Sequence, residues 1–130
     1  MLSQTNAPPG LARISHQTAG NSTYVFDSSA GANITAYVVD TGILVTHSEF
    51  QGRATFGANF ANAVDTDENG HGSHVAGTIG GRTFGVAKSV NLVGVKVLDA
   101  DGAGTNSQSI AGLQFGKLSV SLMGNIANIC

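Results

Sequence analysis

Two segments of the chain are apolar at almost every position, and their ends are sharply marked. Ile34–Val39 reads ITAYVV and stops at Asp40-Thr41-Gly42, while Asn91–Leu98 reads NLVGVKVL and stops at Asp99. Continuous rather than alternating apolarity belongs to strands buried on both faces, as in a parallel sheet. Between them His71–Gly80 is expected to be a helix, although Gly72 and Gly77 weaken it. A second helix is expected over Asn106–Phe115. Thr105 and Gln108 have the spacing of a capping box. Ile110 and Leu113, with Ala111 and Phe115, supply apolar pairs at i+3 and i+4, and Gly116 is a natural stop. Residues 1–33, rich in Ser, Thr, Gly, Asn and Pro, read as turns with short irregular elements. No internal repeat, linker or low-complexity tract is visible. Strand, helix, strand, helix is the order of an α/β layered sheet.

Composition narrows the function classes. The 130 residues suit one domain and can bury roughly two thirds of their unfolded surface. Charged residues make up 11%, against about 25% in ordinary globular chains. Glycine, at 18 residues, is about twice its usual share of roughly 7%. So little charge to clothe a surface reads as an interior-rich piece of something larger. The net charge of −2 leaves no basic footprint, which argues against nucleic acid as a partner. No stretch is long and apolar enough for a membrane span. The opening MLSQTNAPPG lacks the basic start and apolar run of a signal peptide. The single cysteine, Cys130, permits no intrachain disulfide and leaves the redox compartment open.

Functional groups in open α/β sheets gather at the carboxyl ends of strands. Asp40 sits at such an end, before a glycine that lets the chain turn. His71 opens the expected helix, with Asn69 placed to cap it. A helix N-terminus disfavours an imidazolium, so a histidine base there needs a carboxylate to hold its tautomer and offset its charge. Asp40 is the candidate. Spacing alone leaves open a turn aspartate and a packed or solvated histidine. His71 and His74 also have the look of a two-histidine metal pair, but no third ligand accompanies them. Asp65, Asp67 and Glu68 read as a solvated acidic loop, and His47 with Glu49 as structural.

YVVDTGI (Tyr37–Ile43) and NGHGSHVAGT (Asn69–Thr78) resemble the catalytic Asp and His motifs of the subtilases, the subtilisin-like serine endopeptidases. The likeness runs on through APPGLARIS, HSEFQGRA, RTFGVAK, LVGVKVLDADGAG and SIAGLQF, is nearest the fungal proteinase K-like branch, and covers roughly residues 7–115. It implies a partial subtilisin-like three-layer α/β fold with a mainly parallel sheet, cut after the second main helix. It also implies an upstream propeptide-like remnant at 1–6, peptidase-domain sequence at 7–115 and a divergent tail at 116–130. By the same resemblance Asp40 orients the imidazole, His71 is the general base and His74 is a packing position. Ser73 stands where the family usually has Thr. Gly102-Ala103-Gly104 resembles the edge strand on which subtilases lay an extended peptide, a β-augmentation mode of binding.

The family's nucleophile string Gly-Thr-Ser-Met-Ala and its Ala-Ala-Gly-Asn oxyanion string do not occur in these residues. Gly124-Asn125 is a superficial echo of the latter, and Ser121–Gly124 (SLMG) of a family substrate strand. The expectation is therefore a serine-type endopeptidase by family whose chain, as it stands, is catalytically incomplete and inactive. The alternatives are a non-catalytic peptide-binding fragment and a product without function. The implied partner is a peptide or protein substrate, the implied location extracellular, and the oligomeric state is left open. No cofactor is expected. Calcium is a family stabiliser, but GTIGGRTFGVAK lacks the longer calcium-binding loop of bacterial subtilisins and no site is identifiable.

Overall fold

The computed structural model describes residues 1–123 and 126–129, with side chains through Ser119. Gly124, Asn125 and Cys130 lie outside the described residues, and with them the Gly124-Asn125 echo and the terminal cysteine. In chain order the elements are β1 (Leu2–Gln4), α1 (Pro9–Ser15), β2 (Tyr24–Phe26), β3 (Thr35–Asp40), β4 (Ala54–Asn59), α2 (His71–Gly80), β5 (Asn91–Lys96), α3 (Asn106–Met123) and β6 (Ile126–Ile129). β1 and β2 form an antiparallel ribbon, and the other strands form one sheet in the order β4-β5-β3-β6. Every pairing within that sheet is parallel.

The two apolar segments occupy the centre of this sheet, and alternate side chains explain why neither shows a polar face. Ala36 and Val38 of β3 point to one side, where they pack with Leu92, Ile43, Phe50 and, from α2, Ala76. Tyr37 points to the other, against Val95 and Val97, with Val39 and, from α3, Phe115 packed on them. Leu92 and Val95 are completely buried, each contributing about 1.5–3 kcal/mol by leaving water. Helix, sheet, helix is the three-layer α/β arrangement expected.

α2 begins and ends where expected. α3 does not end at Gly116: it continues to Met123, and the chain then returns as β6 beside β3. Gly116 is not among the glycines of positive φ, so the left-handed conformation by which glycine stops a helix is unused. The expected capping box is formed in both directions. Thr105 N–H donates to Gln108 Oε1 at 2.6 Å, and Gln108 N–H to Thr105 Oγ1 at 3.3 Å. β4 was not foreseen. At the other end of the chain β1, α1 and β2 surround a small separate core of Ala7, Leu11 and Tyr24, with Pro9 opening α1 where its missing N–H costs nothing.

Candidate active site

Asp40 is the last residue of β3 and His71 the first of α2, 31 positions apart in sequence. The fold brings them into contact. His71 Nδ1 lies 2.8 Å from Asp40 Oδ1 and 2.9 Å from Oδ2. A carboxylate can only accept, so Nδ1–H donates and Nε2 is left with its lone pair facing outward. Asp40 is itself fixed by Thr41 N–H, which donates to Oδ1 at 2.6 Å. The imidazole is largely open to solvent while the carboxylate is mostly covered, at 63% and 14% exposure.

The start of α2 is built to hold this position. The first N–H groups of a helix have no partner within it, and here three separate side chains take them. His71 N–H donates to Asn69 Oδ1 at 3.2 Å, Gly72 N–H to Thr41 Oγ1 at 2.9 Å and Ser73 N–H to Asp67 Oδ2 at 2.9 Å. Gly70, with φ of 99°, makes the left-handed turn into the helix, which suits glycine. A Cβ on Gly72 would strike the carbonyl oxygen of Gly42, so the helix end rests directly on the loop that follows Asp40.

The hydrogen bond to Asp40, and then that residue's charge, raise the His71 pKa above its ordinary value, with a smaller push from Asp67. Burial alone would raise the Asp67 carboxyl. Hydrogen bonds from Ser73, Gly70 and Thr41 outweigh it and hold the pKa at about 2. Lys96, paired in register with Asp40, is completely buried. Its Nζ donates to Thr41 O at 2.8 Å and Leu98 O at 2.7 Å and lies 3.5 Å from Glu68 Oε2. It ties together the ends of both central strands.

A strand-end carboxylate gripping the Nδ1 of a helix-opening histidine has the geometry by which a carboxylate orients an imidazole and fixes its tautomer. The subtilase family model matches residues 31–117 of this chain. The chain belongs to the subtilase family. It is 59% identical over 113 residues to Subtilisin-like protease 2 of Pseudogymnoascus destructans, covering 86% of this chain and 28% of that protein. It is 54% identical over 123 residues to Subtilisin-like protease 6 of Arthroderma gypseum, covering 94% of this chain and 30% of that protein. Among solved structures, a cold adapted subtilisin-like serine proteinase matches with a TM-score of 0.83 and 41% identity, over 95% of this chain and 45% of that one. This subtilase chain thus spans less than a third of the length of these curated relatives.

The other candidate residues of the subtilase chain fall less neatly. Gly102-Ala103-Gly104 is not a strand. Gly102 N–H donates to Asp99 O, Ala103 N–H to Asp99 Oδ1 and Asp99 N–H to Ala103 O, which curls the segment into a turn around Asp99. It nevertheless stands at the same end of the sheet as the pair, because Asn69 Nδ2 donates to Ala100 O at 2.8 Å. The acidic loop needs a correction. Asp65 is exposed, but Asp67 is drawn inward by five donors from Thr41, Asn69, Gly70 and Ser73. His74 is exposed rather than packed, and with His47, Glu49 and Phe84 it lines a groove of about 550 Å³. Glu49 Oε2 accepts from Thr83 N–H at 2.8 Å and Phe84 N–H at 3.3 Å. Among the described residues no three His, Cys, Asp or Glu side chains gather to hold a metal ion, and no helix is long and apolar enough to cross a membrane.

Proposed function

We propose that this chain carries two members of the Asp-His-Ser triad of a serine endopeptidase, with His71 as general base and Asp40 as its orienting partner. The observation that carries the reading is the contact of Nδ1 with both Asp40 oxygens at 2.8 and 2.9 Å. It leaves Nε2 as the acceptor for a serine hydroxyl proton. As the hydroxyl oxygen attacks the scissile carbonyl, its proton passes to Nε2, and Asp40 stabilises the imidazolium that forms. The same proton then goes to the leaving amine. The peptide is proposed to lie against the Gly102–Gly104 turn at the same end of the sheet as the pair, and the complete protein to act outside the cell on protein substrates.

We further propose that the 130 residues alone do not turn over peptide bonds, since they contain no match to the family's nucleophile string. A serine-directed fluorophosphonate should leave the purified chain unlabelled, and stoichiometric labelling at any serine would overturn this. In an active protein containing this chain, His71→Ala should lower kcat by on the order of a millionfold, the magnitude known for subtilisin itself. A His71→Ala protein that keeps its activity would refute the assignment.

A further inference from the structure

The contact between Asp40 and His71 is too exposed to hold itself together. A solvent-facing ion pair contributes little to holding its partners in place, yet these partners sit on different elements. Something beneath must fix their separation. The residue next to Asp40 and the residue next to His71 are joined directly: Gly72 N–H donates to Thr41 Oγ1 at 2.9 Å. Thr41, itself buried, donates that hydroxyl proton to Asp67 Oδ1 at 2.8 Å. Asp67 Oδ1 also accepts from Gly70 N–H at 2.8 Å and Asn69 N–H at 3.1 Å, and Oδ2 from Ser73 N–H at 2.9 Å and Ser73 Oγ at 2.5 Å. Ser73 Oγ in turn accepts from Leu44 N–H at 2.9 Å. One carboxylate therefore grips both the loop leaving β3 and the first turn of α2.

We propose that Asp67 is a positioning residue which, through Thr41 and the first turn of α2, sets Asp40 against His71 Nδ1. The proposal rests on reading Asp40 and His71 as the catalytic pair. Ionised, Asp67 is an acceptor only, and all five of its donors are satisfied in that form. Replacing it by asparagine keeps the shape but turns one acceptor into a donor facing the Ser73 N–H. Removing the Thr41 hydroxyl breaks the same chain without altering any charge. Besides Asp40, the charged group that acts on His71 is Asp67, and Lys96, which lies 3.5 Å from Glu68, donates to the Thr41 carbonyl.

The test is the His71 tautomer, read from the ring nitrogen shifts of the full chain labelled with ¹⁵N-histidine, at a pH above the His71 titration. The Nδ1–H form should dominate for His71, with exposed His74 as the internal reference. Asp67→Asn and Thr41→Val should each lower the Nδ1–H fraction of His71 to that of His74, and Thr41→Ser should restore it. Where the Asp67 variant fails to fold, the Thr41→Val and Thr41→Ser pair decides alone. An unchanged tautomer in Thr41→Val, or a shifted titration midpoint with the tautomer intact, would overturn the proposal, because the second is the effect of charge alone. Asp40→Asn separates the two levels. If it too leaves the His71 tautomer unchanged, the catalytic-pair reading has failed; if it abolishes the Nδ1–H form while the other variants do not, only the role of Asp67 has.

Discussion

As the proposed base, His71 must be neutral to accept a proton, so whatever stabilises its charged form would move the working range upward in pH. The hydrogen bond and charge of Asp40 do this, with Asp67 adding to them. Peptidase activity of a protein containing this chain should therefore rise with pH through an inflection above the ordinary imidazole value of about 6.5. Asp40→Asn should move that inflection down and cost about four orders of magnitude in kcat, because the amide favours the wrong tautomer. The pH profiles of kcat for the two proteins check this, and an inflection in the parent at or below the ordinary value would contradict it. The same contact contributes to folding at pH below the unfolded-state pKa, and its contribution is lost as pH rises through the raised folded value. That Asp40 and His71 meet was left open by spacing alone and was expected from the family resemblance, which two compact motifs carry: a strand running into Asp-Thr-Gly, and a histidine framed by glycines. Asp67 was not. Its donors include Thr41, 26 positions away, so nothing beside it distinguishes it from the exposed Asp65.

α2 depends on a glycine for position rather than for flexibility. Gly72 lies where a Cβ would meet the Gly42 carbonyl, whereas Gly77, also within the helix, has open space around the corresponding point. The two should respond to alanine with opposite signs. Gly77→Ala should stabilise by about 0.5–1 kcal/mol, the difference in helix propensity. Gly72→Ala gains the same propensity but must push the helix off the β3 loop, and a net loss of about 1–3 kcal/mol is expected. Denaturant midpoints of the two variants measure this, and a stabilised Gly72→Ala would show that the approach is looser than described. β4 escaped the sequence reading for a related reason. Only Ala54 is buried along it, and its register slips between Phe56 and Ala58. A sheet-edge strand with an irregular register leaves neither a continuous apolar run nor a clean alternation. The length of α3 was missed because Gly116 was read as a terminator when its backbone never turns left-handed.

At the scale of the molecule, the chain divides between the layered sheet and a small N-terminal unit with its own core. The match to the family model begins at residue 31, just after that unit. The layered body was legible because its central strands are buried on both faces and say so in their composition. The unit was not, because three-residue strands carry almost no periodicity. What joins them is the loop before β5. Tyr24 donates its hydroxyl to Val86 O at 2.9 Å, and Gln4 Nε2 donates to Thr83 O at 3.1 Å. Lys88 Nζ lies 5.4 Å from the centre of the Tyr24 ring and 5.7 Å from that of Phe26. It also donates to the carbonyls of Arg82, Thr83 and Gly85. Burial raises the Tyr24 phenol, so it remains a donor at neutral pH. Tyr24→Phe keeps the ring and its stacking on Phe26 but leaves the Val86 carbonyl without this donor, at a cost of about 1 kcal/mol. Because these contacts tie the unit to the sheet through a loop, the loss should appear as local opening rather than global unfolding. Amides of β1 and β2 should exchange several-fold faster in Tyr24→Phe, while those of β3 and β5 keep their parent rates. Hydrogen exchange followed by NMR measures both sets at once. Equal acceleration across β3 and β5 would mean that the N-terminal unit opens only with the whole fold, and that the Tyr24–Val86 bond stabilises the sheet as much as the unit itself.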